Sequence, residues 1–558
     1  MRTASIDIET NYAHDQIHMA WVHYWDTDET VECRTAEEFI SAVSGVGALA
    51  HWNGIGFDLP VIKKVWGIDL SDWKQLDGML LSRLHDPSRA GGHGLVSYGT
   101  QFGFPKGDFK DFDSPAENEG HDEWLTRMAI YCEQDTRLNT KACKHLMDKL
   151  TQESFSEESW RLEHDMQSIL TEQRFNGFKL DIPFASDLYA QLTANMRSIE
   201  ATLQDRFKPI ITQRVSEKTG KPLKDDVEVF NIGSRQQIAK RLESIGAVFK
   251  TKTEKGNVIV DEGTLGDIDL PEAKLVLEFL TLQKRTSQIN SWLEAVADDG
   301  RVHGRVNCNG AVTGRMTHSQ PNLAQVPAAG KLFGAECRKC WTVEAGNKLV
   351  GIDASGLELR MLAHYMKDDN YTQEILDGDV HTANQQAAGL STRDQAKTFI
   401  YAFLYGAGDA KIGSIVGGGK GKGAALKRKF LEGTPALRVL RDLVRDIAEK
   451  HKSLPGLDGR RLRVRHQHAA LNTLLQGAGA IVMKKAAIIL RQLLQEANID
   501  VKVVANVHDE WQIEVPEHLA NAVGKLGCKA IKLAGEAYDM RCPLAGDYHV
   551  GDSWAETH

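Results

Sequence analysis

Acidic residues stand on or beside short apolar strand candidates at two distant places in this 558-residue chain, and this feature constrains the fold most. In residues 3–9, apolar residues alternate with Ser5, Asp7 and Glu9, so a strand would place both carboxylates on one face. Adjacent carboxylates repel each other, which costs stability unless a cation lies between them. This segment therefore forms either a solvated acidic edge or a metal site, and taken alone it favours the first.

Two further segments extend this pattern. Asp58 follows a Gly-rich stretch at residues 53–57, and Tyr131 and Asp135 stand four apart, so a helix would place them on one face. Short apolar strands alternate with helical segments over residues 1–145, which is typical of an α/β domain. The sequence therefore predicts an N-terminal α/β domain that carries four acids and a tyrosine.

A second group of acids lies far along the chain. Residues 348–352 predict a strand that ends at Asp353, and a predicted helix with Glu358 near its start follows. Two alternating apolar runs within residues 501–515 predict a hairpin that displays Asp509 and Glu510 at its tip. Either site alone is explained equally well by an ordinary polar turn that carries acids.

The most specific pattern is a four-residue spacing. Arg393, Lys397, Tyr401 and Tyr405 recur at every fourth position, so a helix would present them as one stripe. The cationic end of the stripe could grip a triphosphate, and the aromatic end could pack on a base or sugar. An amphipathic helix with an aromatic core face and a solvated basic end would show the same spacing.

Together, the N-terminal motifs resemble the DEDD exonuclease superfamily, in its Tyr-containing branch. The order is Asp-x-Glu, then Asn-x-x-x-Phe-Asp, then Tyr-x-x-x-Asp. The resemblance implies that Asp7, Glu9, Asp58 and Asp135 hold two divalent metal ions, and that Tyr131 orients the attacking water. It predicts an active 3′–5′ exonuclease.

The distal motifs resemble the three polymerase motifs of family A DNA polymerases. Further matches are Thr313-Gly314-Arg315, the segment at 321–327, the Asp-x-His of residues 379–381, and Asn472 with Gln476. Details around Asp353 and Tyr401 look closest to the replicative polymerases of podovirus-type phages. The resemblance covers nearly the whole chain and implies template-directed DNA synthesis, with a phage-type replication role.

The resemblance also implies a role for each matched residue. Asp353 and Asp509 would hold two Mg²⁺ ions, for which Mn²⁺ is a substitute, with Glu510 as an auxiliary acid. Glu358 would block a ribose 2′ hydroxyl and so select deoxynucleotides. The other implied contacts are Arg393, Lys397 and His381 with the triphosphate, Tyr401 and Tyr405 with the nucleotide pocket, and Arg315, Gln476, Asn472 and His508 with DNA.

Three positions depart from the family pattern. Ala354 replaces the aromatic residue that usually follows the first acid, and His468 stands where the Klenow type has Arg. Tyr401 stands where many repair-type relatives carry Phe, which implies weaker rejection of dideoxynucleotides.

The expected fold class is multidomain α/β and α+β, with an RNase H-like exonuclease domain and a right-hand polymerase of palm, fingers and thumb. The expected domains follow the motifs in chain order. They are the exonuclease at 1–150, the thumb at 151–300, the first part of the palm at 301–380, the fingers at 381–480, and the second part of the palm with the catalytic hairpin at 481–558.

A polar, basic segment within the predicted thumb, residues 208–228, reads as an exposed loop or hairpin, with Arg214, Lys218, Lys221 and Lys224 among Pro, Gly and Ser/Thr. Phage relatives carry a large insertion at this point that recruits host thioredoxin. Because the segment here is short, we expect that thioredoxin does not bind. The basic residues could instead contact duplex DNA.

The net charge of −9 argues only weakly against a nucleic-acid partner, because phosphate contact depends on local basic faces. We expect a monomer that binds primer-template DNA and dNTPs and works with a replisome helicase/primase and a single-strand-binding protein. We expect no signal peptide at the N-terminus and no apolar stretch long enough to span a bilayer. We therefore expect a cytoplasmic protein with no membrane contact, in the host cytoplasm if a phage encodes it.

Two other functions remain open at this point. A nuclease whose C-terminal half only binds DNA would require Asp353 or Asp509 to be non-catalytic. A single-subunit RNA polymerase shares the palm plan, although Glu358 and the exonuclease motifs argue against it. A non-enzymatic structural protein would leave six ordered motifs as coincidence.

Overall fold

The structure is a computed structural model that describes residues 2–249, 252, 256–378 and 380–558. The chain divides into two compact units, which we describe separately. Unit 1 comprises Met1–Asn176, Arg305–Ser319 and Val350–Val550, and unit 2 comprises Gly177–Gly304, Gln320–Leu349 and Gly551–His558.

The N-terminal part of unit 1 is a five-stranded mixed sheet with helices around it. Its strands are β1 (Thr3–Thr10), β2 (Ile17–Tyr24), β3 (Thr30–Cys33), β4 (Ala48–His51) and β5 (Lys74–Asp77), in the spatial order β3-β2-β1-β4-β5. Its helices are α1 (Ala36–Val43), α2 (Asp58–Trp66), α3 (Gly78–His85), α4 (Leu95–Phe102) and α5 (His121–Gln152). β1 pairs antiparallel with β2 and parallel with β4, so it is the central strand.

The polar face of β1 is covered rather than solvated, because α5 packs on it. Ser5 is fully buried, and its hydroxyl accepts a 2.7 Å hydrogen bond from Thr140 on α5. The acidic face of this strand therefore lies inside the fold, where unpaired carboxylates are costly.

Further along the chain, unit 1 continues with a long core helix, α6 (Glu157–Asn176), a short hairpin of β10 (Arg305–Asn307) and β11 (Thr317–Ser319), and a predominantly helical region. The helices of that region are α12 (Leu357–Met366), α13 (Asp369–Leu376), α14 (Val380–Ala388), α15 (Arg393–Leu404), α16 (Asp409–Ile415), α17 (Lys420–Gly433), α18 (Pro435–His451), α19 (Ala470–Glu496) and α20 (Ala520–Ala537). Its strands are β13 (Asn347–Ala354), β14 (Ser453–Pro455), β15 (Arg461–Arg463), β16 (Lys502–Val507), β17 (Glu510–Pro516) and β18 (Gly546–Gly551).

A four-stranded sheet with the order β16-β17-β13-β18 forms the centre of this region. β17 is an interior strand, and both of its faces are buried, including Gln512 and Glu514 at 1% exposure each. The alternation of apolar residues in the sequence correctly predicted the β16–β17 hairpin but did not reveal that its polar residues are also buried.

The most apolar long helix of the chain, residues 467–496, has the length and the mean hydropathy, 1.4, of a membrane-spanning helix. The expectation that no apolar stretch reaches this length was therefore wrong. Within the protein, 78% of its most apolar window is buried, and its residues Leu474, Val482 and Leu490 belong to the hydrophobic core of unit 1. Its apolar composition is accounted for by packing inside the fold.

Unit 2 combines a small sheet with two long helices and an exposed hairpin. Its helices are α7 (Ile182–Arg206), α8 (Arg235–Glu243), α9 (Glu262–Gly266), α10 (Pro271–Glu294) and α11 (Gly334–Lys339). Its strands are β6 (Phe178–Leu180), β7 (Ile210–Val215), β8 (Pro222–Glu228), β9 (Arg301–Val302) and β12 (Trp341–Thr342). Aromatic rings of Phe178, Trp292 and Trp341 pack at centroid distances of 5.2 Å in its core.

The hairpin predicted within residues 208–228 is confirmed, since β7 and β8 pair antiparallel with Ile211 opposite Val227. Between residues 234 and 296 the chain forms α8, α9 and α10, and the described residues 244–249 and 256–261 lie outside these helices. In unit 1, β14 and β15 form a short hairpin. Leu454 and Leu462 pair there and are buried in the core of unit 1.

Candidate active sites

The first candidate site lies on the N-terminal sheet, where three elements bring four acids together. Asp7 and Glu9 project from β1, Asp58 is the first residue of α2, and Tyr131 and Asp135 lie one turn apart on α5. The structure therefore places all five residues predicted for the exonuclease at one site within unit 1.

Burial and mutual repulsion act together on these carboxyl groups. Burial, followed by the charges of Asp58 and Glu9, raises the pKa of Asp7 well above its usual value. Burial and the charge of Asp135 raise the pKa of Glu9 to about 8. Burial also raises the pKa of Asp58 to about 6. Burial and crowding thus disfavour the charged form of these acids unless a cation compensates their charge.

The donor atoms of the site suit a divalent cation. Asp135 is 2% exposed, and its buried Oδ1 atom has no hydrogen-bond partner among the described residues. Carboxylate oxygens of Asp7 and Glu9 and the sulfur of Cys132 lie within 4.8 Å of one another. Burial raises the pKa of the Cys132 thiol well above its usual value, so the oxygens are the available ligands. Oxygen ligands are those that Mg²⁺ prefers.

A buried network holds the turn that precedes Asp58. The Asp77 carboxylate accepts the amide of Asn53 at 3.0 Å and lies 3.5 Å from Nδ1 of His51. His51 is fully buried, and its charge lowers the pKa of Asp58, opposing the effect of burial. Asp77 and His51 thus position a predicted metal ligand without being part of the motif.

The second candidate site is formed at the end of β13 and at the β16–β17 turn of the four-stranded sheet. Asp353 is the penultimate residue of β13, and Asp509 lies in the two-residue turn between β16 and β17. The backbone amide of Ala354 donates a 3.0 Å hydrogen bond to the carbonyl of Asp509. Two acids that are distant along the chain are therefore neighbours on adjacent strands.

The surroundings of Asp509 are strongly acidic. Burial, then the charge of Glu358, raises its pKa to about 6, while Arg315 opposes this effect. Glu510 is buried at 4% exposure, and its Oε1 accepts a 2.6 Å hydrogen bond from Gln512. The oxygen-rich donor set again suits a divalent cation.

One oxygen of Glu358 joins two other predicted site residues. Its Oε1 atom accepts hydrogen bonds from Nη2 of Arg315 and from the hydroxyl of Tyr405, each at 3.1 Å. Glu358 lies in the first turn of α12, and Tyr405 is the C-cap of α15. The structure thus ties two helices and the Thr313-Gly314-Arg315 turn together through a single carboxylate.

The four-residue stripe lies on α15 as predicted. Arg393 and Lys397 are exposed, whereas Tyr401 is half-buried and its ring centroid lies 6.3 Å from that of Tyr405. The His381 ring on α14 lies 6.3 Å from Tyr401, and burial, with the charges of Arg393 and Lys397, lowers the pKa of His381. A cationic patch therefore continues into an aromatic one. Asp379, the other member of the predicted Asp-x-His motif, lies outside the described residues.

The predicted DNA-contacting residues lie around α19 and the β16–β17 turn. Asn472 and Gln476 are half-buried one turn apart near the start of α19. Arg315 and His508 line a small cavity together with Lys484, which lies further along α19 than Gln476. His508 adopts a left-handed backbone conformation, with φ of 58°, at the tip of the turn.

The second candidate site lies in a part of the chain that matches a known protein family. A family model described as DNA polymerase family A matches residues 196–556. The chain belongs to DNA polymerase family A. The family predicted from the motifs is therefore confirmed.

Two relatives match this polymerase over most of its length. A DNA-directed DNA polymerase of Enterobacteria phage T3 is 35% identical over 652 aligned positions, which cover 92% of each chain. A DNA-directed DNA polymerase of Escherichia phage T7 is 34% identical over 701 aligned positions, which cover 99% of each chain.

A solved structure shares the fold of this polymerase. It is described as the POL domain of Pol1 from M. smegmatis in complex with DNA primer-template and dNTP. The TM-score is 0.79 at 19% identity, and the match covers 100% of this chain and 96% of that chain. The predicted fold class, a multidomain α/β and α+β protein of the right-hand polymerase type, is confirmed.

Sequence reasoning missed a buried ionic cluster in the polymerase. Glu163 on α6 and Lys484 on α19 are both fully buried and form two contacts of 2.7 Å. Arg460 also pairs with Glu163 at 2.6 Å, and Lys484 donates to the carbonyl of Gly314 at 2.8 Å. The lysine pair 484–485, which interrupts the apolar residues of 477–490, was a signal that could have revealed it.

A second missed residue is Lys106, in the segment between α4 and α5. Its ammonium group pairs with the Oδ2 atom of Asp135 inside the first candidate site. The sequence around it, Pro105-Lys106-Gly107-Asp108, looks like a solvated turn and carries no signal of this contact.

Proposed function

We propose that this family A polymerase is a template-directed, DNA-dependent DNA polymerase of the phage replicative type that also carries a proofreading 3′–5′ exonuclease. The observation that carries the proposal is the hydrogen bond between the amide of Ala354 and the carbonyl of Asp509, which makes Asp353 and Asp509 neighbours. Phosphoryl transfer needs such a carboxylate pair, because catalysis rests on positioning and on charge stabilisation.

In the polymerase site, Asp353 and Asp509 hold two Mg²⁺ ions, or Mn²⁺ as a substitute, with Glu510 nearby. When bound, these ions lower the pKa of the primer 3′ hydroxyl and stabilise charge on the triphosphate. The exposed side chains of Arg393 and Lys397 suit the binding of an anionic triphosphate. The 3′ hydroxyl loses its proton to solvent, and its oxygen bonds to the α-phosphorus. The bond from that phosphorus to the oxygen that bridges to the β-phosphate breaks, and pyrophosphate leaves.

The remaining nucleotide contacts follow from the ends of α14 and α15. His381 assists Arg393 and Lys397 at the triphosphate, and Tyr401 packs against the incoming nucleotide. Tyr405 shapes the floor of the pocket and holds Glu358 through its hydroxyl. Glu358 then excludes a ribose 2′ hydroxyl by occupying its position.

The DNA contacts are assigned to residues near α19 and the catalytic turn. Arg315 and Gln476 contact minor-groove acceptors, which occupy similar positions in all base pairs and therefore report pair geometry rather than sequence. Asn472 lies one turn from Gln476 on α19, and His508 lies beside the primer terminus. The shared cavity of Arg315 and His508 supports this arrangement.

In the exonuclease site, Asp7, Glu9, Asp58 and Asp135 hold divalent ions, and Tyr131 orients the attacking water. When bound, the ions activate the water and stabilise the leaving oxygen. The water oxygen bonds to the phosphorus, the bond to the 3′ oxygen of the preceding nucleotide breaks, and that oxygen takes up a proton. The product is a nucleoside monophosphate.

The proposed enzyme has the expected domains and partners. The exonuclease domain comprises residues 1–150, the thumb 151–300, the palm 301–380 and 481–558, and the fingers 381–480. The enzyme acts as a monomer on primer-template DNA with dNTPs, alongside a helicase/primase and a single-strand-binding protein, in the cytoplasm of the host.

Two variants separate the activities. Asp353→Ala should abolish primer extension and leave the degradation of single-stranded DNA intact, because it removes a ligand at one site only. The double variant Asp7→Ala, Glu9→Ala should do the reverse. Both activities are measured on one end-labelled primed template and on its single strand, with circular dichroism as the folding control.

The same assay decides between this function and the alternatives. Wild-type protein that degrades DNA but incorporates no nucleotide would be a nuclease with a DNA-binding C-terminal half. Equal use of ribonucleotides and deoxynucleotides would indicate an RNA polymerase. Loss of both activities in either folded variant would contradict the model of two sites.

A further inference from the structure

Lys106 lies inside the carboxylate cluster of the proposed exonuclease site, although no motif includes it. Its ammonium group forms an ion pair with Oδ2 of Asp135. The nitrogen also lies 5.0 Å from the centroid of the Tyr131 ring. One side chain thus contacts both a predicted metal ligand and the residue predicted to orient water.

The backbone around Lys106 is held against α5, which places the lysine side chain in the site. Gln134 on α5 donates to the carbonyl of Pro105, the residue directly before Lys106. Gly107 packs so closely on α5 that an added Cβ atom would lie 2.6 Å from Tyr131. The backbone on both sides of Lys106 is therefore fixed against the helix that carries Tyr131 and Asp135.

The pairing leaves the cluster open to a cation. Lys106 contacts only Oδ2 of Asp135, while the buried Oδ1 has no hydrogen-bond partner among the described residues. The lysine therefore orients the carboxylate and leaves its other oxygen available as a ligand. An oriented ligand is a common requirement of metal sites.

Charge balance gives the lysine a further use. Four carboxylates require four positive charges, which two divalent cations supply. A bound phosphodiester adds one negative charge, and more charge develops on its oxygens as the bond to phosphorus breaks. Among the described residues, Lys106 is the cation that forms an ion pair with this cluster.

We infer that Lys106 is a positioning residue of the exonuclease, which fixes Asp135 and Tyr131 and balances the charge of the scissile phosphate. The inference rests on the proposed exonuclease function. It requires the lysine to remain in place during turnover rather than to block the site.

The test compares Lys106→Met and Lys106→Arg with Lys110→Met, a matched control. Lys110 lies in the same segment, and its side chain is largely exposed with only a surface contact to Asp108. Exonuclease kcat and KM are measured on single-stranded DNA. Mn²⁺ binding is measured by electron paramagnetic resonance in an Asp353→Ala, Asp509→Ala background, so that the signal reports the exonuclease cluster.

Lys106→Met should lower kcat about 10- to 100-fold, the usual cost of losing a residue that orients a metal ligand, with little change in KM. Because a positive charge is removed beside the cluster, Mn²⁺ should bind about tenfold more tightly. Lys106→Arg, which keeps the charge, should retain most of the wild-type rate, and Lys110→Met should match wild type in both measurements.

Three outcomes would overturn the inference. An unchanged rate would remove Lys106 from the mechanism, and a faster rate with tighter Mn²⁺ binding would make it a blocking group. A slower rate with weaker Mn²⁺ binding would contradict the charge-balancing role, because the lost orientation of Asp135 would then outweigh the lost positive charge. If the wild-type protein degrades no DNA, the exonuclease proposal itself has failed. The Mn²⁺ measurement then still shows whether the charge of Lys106 acts on the carboxylate cluster.

Discussion

At the scale of single residues, the proposed selection of deoxynucleotides depends on one oxygen of Glu358. This Oε1 accepts hydrogen bonds from both Arg315 and Tyr405, so the position of the carboxylate depends on two partners. A buried hydrogen bond to a charged group contributes about 1.5–3 kcal/mol, and this one contributes less because Tyr405 is exposed, yet its loss is enough to change a selectivity ratio.

Tyr405→Phe should therefore weaken discrimination against ribonucleotides by about 3- to 10-fold, because the Glu358 carboxylate loses one of the two hydrogen bonds that hold it in position. The phenyl ring preserves the packing of the pocket, so the rate with deoxynucleotides should change little. The measurement is the ratio of kcat/KM for a ribonucleotide and the matching deoxynucleotide.

The matched control is Tyr401→Phe, one turn away on the same helix. Among the described contacts, Glu358 accepts a hydrogen bond from Tyr405 but none from Tyr401, so this variant should leave ribonucleotide discrimination unchanged and strengthen the rejection of dideoxynucleotides. Equal effects of both variants on ribonucleotide use would contradict a specific role for the Tyr405 hydroxyl.

Much of the candidate sites could be predicted from the sequence, and the reason differs between residues. Asp7 and Glu9, or Arg393 and Tyr401, are revealed by spacing because a strand or helix has a fixed period. Lys106 could not be found in this way, since its partner Asp135 lies in another segment and the contact depends on how a loop packs.

At the scale of elements, the contact between α6 and α19 is made through buried charges. Glu163 pairs with Lys484 and Arg460, and Lys484 also holds the carbonyl of Gly314, next to Arg315. The two helices thus support the turn that carries a proposed DNA contact. The sequence motifs did not reveal the ion pairs that join these helices.

Glu163→Gln should destabilise unit 1 by about 3–5 kcal/mol, because it leaves the buried charge of Lys484 uncompensated. Glu172→Gln is the control, as Glu172 lies on the same helix but pairs with Arg491 at a largely exposed position. The control should lose less than about 1 kcal/mol. Urea unfolding followed by tryptophan fluorescence measures both, and equal losses would contradict the prediction.

The same pair predicts a dependence on pH. Burial raises the pKa of Glu163, but Lys484 and Arg460 outweigh it and lower the pKa to about 2. The stabilisation is therefore complete above the ordinary value of about 4.5 and is lost as the pH falls towards 2. The stability difference between wild type and Glu163→Gln should narrow below about pH 4.5, and a constant difference would contradict it.

At the scale of the whole molecule, a net charge of −9 must be reconciled with binding to DNA. The β7–β8 hairpin offers one local basic surface, since Lys218, Lys221 and Lys224 are all exposed. Each phosphate contact lowers the slope of log affinity against log salt by about 0.9.

Replacing Lys218, Lys221 and Lys224 by Gln should make the salt slope of duplex binding shallower by up to about 3. A control triple on α20, Lys525, Lys529 and Lys532, changes the net charge equally and should alter the slope less. Fluorescence anisotropy at several salt concentrations measures both. The short hairpin also predicts no gain in processivity on adding thioredoxin, and a gain would contradict that expectation.

The strand order β16-β17-β13-β18 has a consequence for biosynthesis. β13 needs partners on both sides, and these are made only after more of the nascent chain has left the ribosome. The N-terminal sheet, by contrast, has all five of its strands within the first 77 residues. Cotranslational folding therefore completes the N-terminal sheet before the four-stranded sheet, and premature termination would release the first candidate site without the second.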